Sequence, residues 1–326
     1  MSLSIIVLAA GKGSRMQSSK PKVLHEVGNY PILFHILDTV SSFENSSIDL
    51  VISKSFSEYK DLIISKYNKL TFSIQNKQNG TADAVVSSLN NGNNNSETIL
   101  VLCGDTPLIS KKTLDSALKK FHKDKLDLCV VSMEPKDKNN SYGKLKFENK
   151  KLTGIIEQSE ITKDANQNIC NSGIMIFKTK SLIQNLKFIK NKNRKKEFFL
   201  TDLVEIFFKR NLLINHFSCK FQETLGVNSM IDLAAVNYEF QENKRQLFLS
   251  KGVVMEAPKT VYFSYDTKIG KNVIIQPNVY FGTGVNIKDG VILRSFSYLD
   301  NVVVYDEALI GPYARIRDGV QIKKNS

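Results

Sequence analysis

The sequence predicts an α/β protein: a Rossmann-like domain with a mostly parallel sheet, followed by a long helix and a short parallel β-helix. Two observations carry this prediction. Short apolar runs alternate with amphipathic stretches through residues 1–220, which is the pattern of βαβ units. Beyond Pro258, apolar residues recur every six positions, the period of a β-solenoid in which each hexapeptide forms one flat side.

The α/β region divides at its apolar runs. SIIVLAA at 4–10 is continuous and predicts a strand buried on both faces. Pro31 opens a helix whose apolar residues repeat at helical spacing through Val40. Further strands are predicted at 48–53, 70–75, 98–105, 126–133 and 172–179, a hairpin at 144–158, and helices at 56–66, 81–89 and 110–122.

The chain changes character near residue 229, where Asn228 or Ser229 is expected to cap a long helix. The six-residue series follows, at Ile269, Ile275, Phe281, Ile287 and Leu293, and resumes with a shift of one residue at Val304, Ile310, Ile316 and Ile322. Three sides make one coil, so about three to four coils are expected. The predicted domains are 1–227, a linker helix at 228–251 and a truncated hexapeptide β-helix at 252–326.

Composition narrows the classes of function. The net charge is +13, but the lysines are scattered among asparagines, and the densest basic run, 190–196, lacks the aromatic residues that base stacking needs. We therefore expect no nucleic-acid partner. No run of about 18 apolar residues occurs, so no membrane insertion is expected. The four cysteines are widely spaced, which favours free thiols in the cytoplasm over disulfides or zinc.

A glycine-containing loop, LAAGKGSRM at 8–16, follows the first strand. Gly11 and Gly13 let the backbone approach phosphates closely, and successive N–H groups can form an anion nest. The dinucleotide fingerprint fails because it requires glycine where Met16 stands, and the GK[ST] of a P-loop is absent. Arg15 and Lys22 place two cations beside the loop, which suits a pyrophosphate leaving group.

LAAGKGSRM together with KPKVLH at 20–25 resembles the signature of the sugar-phosphate nucleotidyltransferases. More segments, in the same order, resemble the bifunctional N-acetylglucosamine-1-phosphate uridylyltransferase / glucosamine-1-phosphate acetyltransferase family. They are IQNKQNGTADAV (74–85), CGDTPLI (103–109), YGK (142–144), GIIEQ (154–158), CNSGIMIF (170–177), EFFLTD (197–202) and LGVNSMIDLA (225–234). The segment 296–319 is similar to the first coils of that family's left-handed β-helix.

The resemblance implies a uridylyltransferase that makes UDP-N-acetylglucosamine and pyrophosphate from UTP and N-acetylglucosamine-1-phosphate, with Mg²⁺, for cell-wall and lipopolysaccharide precursors. It also implies catalytic roles for Arg15, Lys22 and Asp105, and metal binding by Asp105 and Asn228. Substrate contacts are implied at Leu8, Ala9, Ala10, Gly11, Lys22, Gln75, Gly80, Thr81, Cys103, Gly104, Asp105, Gly143, Glu157, Asn171 and Asn228. Among these, the loop and Lys22 would hold phosphates, Gln75, Gly80 and Thr81 would bind the uracil, and the sugar would be bound by Gly143, Glu157 and Asn171.

Several of these residues also have plainer interpretations. Gln75 fits an exposed strand end, Asp105 a cap on the next turn, Asn228 a helix cap, and Glu157 a solvated hairpin charge. Three positions depart from the family pattern: Cys103 stands where tyrosine is frequent, Lys144 where arginine is common, and Leu225 where an acidic residue is frequent.

The alternatives are a related transferase with another nucleotide or sugar, and a non-catalytic trimeric scaffold. A homotrimer through the β-helix is left open. Acetyl transfer, which the family performs in later coils, is not expected of this chain.

Overall fold

The computed structural model describes residues 2–92, 95–137, 140, 142–157, 168–194 and 196–326; Gln158 of the predicted hairpin, Lys195 of the basic run and the rest lie outside the described residues. Contacts divide the chain into two compact units, Met1–Leu24 with Ile32–Asn228, and His25–Pro31 with Ser229–Ser326. The long helix and the solenoid thus share a unit with residues 25–31. The boundaries of the three predicted domains stay a prediction.

The elements are numbered in chain order. The strands are β1 (Leu3–Leu8), β2 (Glu26–Val27), β3 (Tyr30–Pro31), β4 (Ser46–Ser53), β5 (Leu70–Gln75), β6 (Thr98–Cys103), β7 (Leu128–Met133), β8 (Lys144–Glu148), β9 (Lys151–Ile156), β10 (Cys170–Lys178), β11 (Ile214–Ser218), β12 (Val254–Met255), β13 (Lys268–Ile269), β14 (Ile274–Ile275), β15 (Tyr280–Phe281), β16 (Asn286–Ile287), β17 (Ile292–Leu293), β18 (Tyr298–Leu299), β19 (Val303–Val304), β20 (Leu309–Ile310), β21 (Arg315–Ile316) and β22 (Gln321–Ile322). The helices are α1 (Ile32–Ser41), α2 (Lys60–Ile64), α3 (Thr81–Asn90), α4 (Lys111–Lys123), α5 (Thr179–Leu186), α6 (Asp202–Lys209) and α7 (Met230–Ser250).

The sheet of the first unit has nine strands, ordered β11-β7-β10-β6-β1-β4-β5, with the β8–β9 hairpin attached to β10. β1 is parallel to β4 and β6, β5 to β4, and β11 to β7, whereas β10 runs antiparallel to β6, β7 and β8. The chain builds β4 and β5 on one side of β1 and then places β6 on the other. Open α/β sheets bind ligands at such a switch point, beyond the carboxyl ends of the strands.

Most predicted elements of this unit are present, with shifted ends. The apolar face of α1 buries Ile32, Leu33, Ile36, Leu37 and Val40, as its spacing predicts. The predicted strand 98–105 ends at Cys103, so Gly104 and Asp105 lie in the turn after it. The predicted helix 56–66 is a 3₁₀ turn at Lys54–Tyr59 followed by α2. α5, α6 and β11 were not predicted.

The second unit contains the solenoid. Its short parallel strands stack into three sheets, β12-β14-β17-β20, β13-β16-β19-β22 and β15-β18-β21. Ile275 on β14 pairs with Leu293 on β17, and Leu293 in turn pairs with Ile310 on β20. The chain between the second pair is one residue shorter than the chain between the first pair. The inward residues stay aligned from coil to coil because the missing residue falls at the corner between Leu299 and Val304. The predicted fold class, an α/β domain followed by a helix and a short left-handed parallel β-helix, is confirmed.

Side chains of α7 bond to the first coil. The Gln241 amide donates to Phe263 O at 2.7 Å and accepts from Phe263 N at 2.8 Å, as a neighbouring strand would. Arg245 Nε donates to Val261 O at 3.2 Å, although Arg245 is only 2% exposed. These bonds satisfy backbone groups that would otherwise be an open sheet edge.

Two further predictions concern the helix caps and the membrane. Of the two predicted caps for α7, Ser229 is the one used, since its Oγ accepts from Asp232 N at 3.2 Å. Among the described residues, no helix combines the length and apolar character needed to cross a bilayer.

Candidate active site

The residues after β1 and β6 form the walls of a cavity of about 440 Å³ at the switch point. Gly104 N donates to Leu8 O at 2.8 Å and Ala9 N donates to Val51 O at 2.8 Å, so the loop is tied to the ends of both neighbouring strands. Predicted site residues that line the cavity are Leu8, Ala9, Ala10, Gly11, Arg15, Lys22, Gln75, Gly80, Thr81, Cys103, Asp105 and Asn228.

The glycines of the loop have different structural roles. Gly13 has a φ of 62°, and a Cβ built there would lie 2.8 Å from Lys22 Cβ, so a larger residue would push Lys22 away. A Cβ on Gly11 would meet no atom within 4 Å, so this part of the loop is open toward the cavity. The buried Met16 anchors the 3₁₀ turn that carries the exposed Arg15.

Lys22, Asp105 and Asn228 meet at one side of the cavity. The Lys22 ammonium contacts Asp105 Oδ2 and donates to Asn228 Oδ1 at 3.2 Å. Asn228 reaches this position because Val227 N donates to Asp105 O at 2.9 Å, which holds the segment before α7 against the turn after β6. Two oxygens from distant parts of the chain therefore face a single cationic group.

This arrangement fits a divalent cation. The Lys22 ammonium contacts both Asp105 Oδ2 and Asn228 Oδ1, so these two oxygens lie close enough together to bind one positive charge. Among the described residues, no group of three or more His, Cys, Asp or Glu side chains could hold a metal by itself. One carboxylate and one amide oxygen suit Mg²⁺, which keeps waters and binds substrate phosphates in addition to one or two protein oxygens.

Gln75 and Gly80 lie at another part of the cavity. Gln75 is 5% exposed, and its Nε2 donates to Gly80 O at 2.9 Å and to Asp83 Oδ2 at 2.8 Å. Gly80 has a φ of 111°, and a Cβ there would lie 2.5 Å from Phe198 O. Glycine is therefore required both by the backbone conformation and by the close passage of another segment.

The segment 79–82 is joined to the segment 198–200. Phe198 N donates to Asn79 O at 2.7 Å, and Ala82 N donates to Phe198 O at 2.9 Å. Thr81 Oγ1 accepts from Leu200 N at 2.9 Å, so this hydroxyl orders the backbone as well as lining the cavity.

Three predicted sugar contacts form a neighbouring cluster. Asn171 N donates to Gly143 O at 2.8 Å, and a Cβ on Gly143 would lie 3.5 Å from Glu157 Oε2. Glu157 Oε1 accepts from Thr201 Oγ1 at 2.6 Å, so Glu157 is oriented by the chain and is not a freely solvated charge. Gly143, Glu157, Asn171 and Gly104 are outside the lining of the 440 Å³ cavity.

Cys103 lies between the cavity and this cluster. Its Sγ is 3.7 Å from Gly173 O, two residues beyond Asn171. Burial raises the pKa of the Cys103 thiol to about 12; the Asp105 carboxylate adds to the rise and Lys22 opposes it. The thiol is therefore protonated at neutral pH and is a poor nucleophile.

Sequence reasoning missed several residues that line the cavity. Gln78 donates from Nε2 to Ala10 O, which ties the loop at 8–16 to the segment before α3. Glu197 and Phe199 also line the cavity, and their segment was quoted for its family pattern without a role for either. The sequence signal that could have identified them is their position inside two quoted segments: Gln78 lies between Gln75 and Gly80, and Glu197 and Phe199 lie within EFFLTD.

A glycine-containing loop at the switch point of a Rossmann-like sheet, with Lys22, Asp105 and Asn228 on the same cavity, is the arrangement typical of a nucleotide-binding α/β protein. The family model described as nucleotidyl transferase matches residues 4–222, and the bacterial transferase hexapeptide model (six repeats) matches residues 266–301. A "Bifunctional protein GlmU" of Bartonella quintana (strain Toulouse) is 34% identical over 323 residues, 98% of this chain and 71% of the relative. The relative of that name in Wolbachia pipientis wMel is 33% identical, over 98% of this chain and 73% of its own.

The chain therefore belongs to the nucleotidyl transferase family and, within it, to the GlmU proteins. The inositol-1-phosphate CTP transferase structure from T. maritima is similar with a TM-score of 0.55 and 16% identity, over 72% of this chain and 96% of that one. At that identity the likeness concerns the fold alone.

Proposed function

We propose that the chain transfers a uridylyl group from UTP to N-acetylglucosamine-1-phosphate, giving UDP-N-acetylglucosamine and pyrophosphate. The supporting observation is convergence in one cavity of three features: the loop at 8–16, the Gln75–Gly80 pair, and Lys22 between Asp105 and Asn228. The loop suits a triphosphate, the Gln75–Gly80 pair suits a pyrimidine base, and the two oxygens around Lys22 suit a cation.

The reaction is a single in-line displacement. A phosphate oxygen of the sugar phosphate forms a bond to the α-phosphorus of UTP. The bond from that phosphorus to the oxygen bridging to the β-phosphate breaks, and pyrophosphate leaves with the electron pair. Because the attacking oxygen is already anionic, no general base is needed. The protein's tasks are positioning and neutralisation of charge.

The cations beside the loop serve the leaving group. Arg15, Lys22 and the loop residues line the same cavity, where the two cations and the backbone N–H groups would neutralise the charge that develops on pyrophosphate. Asp105 and Asn228 would hold Mg²⁺, which when bound neutralises phosphate charge and aligns the reacting groups.

The cluster of Gly143, Glu157 and Asn171 would bind the sugar. The Glu157 carboxylate accepts hydrogen bonds, which suits sugar hydroxyls, and Thr201 holds it in one orientation. The Asn171 amide could bond a hydroxyl or the acetamide. Cys103 lies beside both parts of the proposed site, since it lines the cavity and its Sγ is 3.7 Å from Gly173 O.

The test is pyrophosphate release by the full chain, measured over panels of nucleoside triphosphates and sugar 1-phosphates with and without Mg²⁺. We expect the highest kcat/KM for UTP with N-acetylglucosamine-1-phosphate, and loss of the rate in a chelator. A higher value for another pair would favour the related-transferase alternative. No pyrophosphate from any pair would exclude the proposed function.

We also propose a homotrimer through the β-helix and a cytoplasmic location. The first is supported by an outward-facing aliphatic column on one sheet, formed by Val254, Ile274, Ile292 and Leu309. The second is supported by four unpaired cysteines. Light scattering after size exclusion tests the first, since a monomeric mass would contradict it, and cell fractionation tests the second.

A further inference from the structure

We propose that Asp83 determines which pyrimidine the protein accepts, by fixing the orientation of the Gln75 amide. This inference rests on the proposed function and deepens it. Gln75 is almost fully buried at the cavity wall, and Asp83 lies in the first turn of α3. The resemblance assigns no role to Asp83.

The amide of Gln75 has one energetically acceptable orientation. Its nitrogen carries two hydrogens, and both have acceptors: Gly80 O at 2.9 Å and Asp83 Oδ2 at 2.8 Å. Rotating the amide by half a turn would place its oxygen against a carboxylate and a carbonyl, with loss of both bonds. The carboxylate makes its bond charge-assisted, so Asp83 contributes the larger part of this preference.

Asp83 is itself held in place. Its Oδ2 also accepts from Asn79 N at 3.3 Å, and a carboxylate in the first turn of a helix is favoured by the helix dipole. The orientation of Gln75 is therefore set before a nucleotide arrives.

The consequence is an acceptor and a donor at the cavity wall. Among the hydrogen bonds of the described residues, none uses Gln75 Oε1 and none uses the Gly80 N–H. A uracil presents the complementary edge, an N3–H donor next to an O4 acceptor. Cytosine presents the reverse, an N3 acceptor next to an amino donor, so it would face like groups at both positions. Thymine has the same imide edge as uracil and would not be distinguished by this device.

The experiment compares kcat/KM for UTP, CTP and dTTP in wild type, Asp83→Ala and Asp83→Asn. Sites built to hydrogen-bond one edge reject its reverse strongly, so we expect wild type to prefer UTP over CTP by on the order of 10²-fold or more. In D83A the amide can turn at the cost of fewer bonds, and the UTP/CTP ratio should fall about tenfold. D83N keeps an oxygen that faces the Gln75 and Asn79 donors and should keep the ratio within about threefold of wild type.

The UTP/dTTP ratio is the internal control and should not change in any variant. A merely structural role for Asp83 would lower the values for UTP and CTP together, and an unchanged UTP/CTP ratio in folded D83A would overturn the proposal. If D83A does not fold, Asp83→Leu, whose side chain is similar in shape and has no hydrogen-bond acceptor, gives the same comparison. If wild type releases no pyrophosphate at all, the proposed function fails separately, and calorimetric binding of UMP and CMP to the same variants still decides the role of Asp83.

Discussion

Polar side chains have different roles in the two units: they complete backbone hydrogen bonding in the solenoid, and they gather around a cavity in the α/β unit. In the solenoid, the inward residues are mostly apolar, and the polar groups of α7 complete the backbone bonding of the first coil. In the α/β unit, charged and amide side chains meet inside a cavity at the carboxyl ends of the strands. A change in the first region should therefore be felt mainly in stability, and a change in the second mainly in activity.

The glycines differ in the same way. A Cβ on Gly13 would collide with Lys22, which lines the cavity, and a Cβ on Gly80 would collide with the backbone at Phe198, next to the lining residue Phe199. In the solenoid, a Cβ on Gly282 would meet the side chain of Asp300 in the next coil, a contact that concerns coil stacking alone. Substitutions in each unit test this difference.

The largest effect is expected from Asp105→Ala. Loss of the carboxylate removes a proposed metal ligand and leaves Lys22 without its main partner, so kcat for pyrophosphate release should fall by about 10²–10³-fold, while the melting temperature changes little. The matched control is Asp115→Ala, which removes an exposed carboxylate that pairs with Lys111 on α4. An Asp105→Ala rate within a few-fold of wild type would show that the metal assignment is wrong.

In the solenoid, Leu299→Ala should act on stability instead. Leu299 is fully buried between coils, and its truncation leaves a cavity that should lower the free energy of unfolding by about 2–5 kcal/mol in urea denaturation followed by circular dichroism. Its neighbour on β18, Tyr298, points outward and is 38% exposed, so Tyr298→Ala should cost about 1 kcal/mol or less. Equal losses for both would contradict the assigned inward and outward faces. Both variants should retain kcat/KM at 25 °C.

A smaller effect, and one independent of turnover, is expected from Lys22→Met. The ammonium competes with a metal ion for Asp105 and Asn228, so the nucleotide-free protein should bind Mn²⁺ at least about tenfold more tightly once that charge is gone. The measurement is a Mn²⁺ titration followed by electron paramagnetic resonance. Lys20→Met, an exposed neighbour, serves as the control and should bind like wild type. Unchanged affinity in Lys22→Met would mean that the ammonium does not stand in the cation position.

The parts that could be predicted are those whose signal is local. The loop at 8–16 is contiguous, and the hexapeptide period repeats often enough to identify inward residues such as Ile275 and Leu293 one by one. The missed elements α5, α6 and β11 have short or mixed patterns, and β10 runs antiparallel within a sheet whose alternation predicts parallel strands. Strand direction depends on which neighbours are available, and periodicity does not carry that information.

The sequence by itself determined most of the elements of the α/β unit, the loop chemistry and the solenoid period, because each depends on residues a few positions apart. Only the tertiary structure decided that Lys22 lies between Asp105 and Asn228, and that Asp83 rather than solvent meets the Gln75 amide. Those contacts join segments that fold back over one another. The folded backbone decides which polar groups face each other, and therefore which group donates and which accepts. A local sequence pattern does not contain this information.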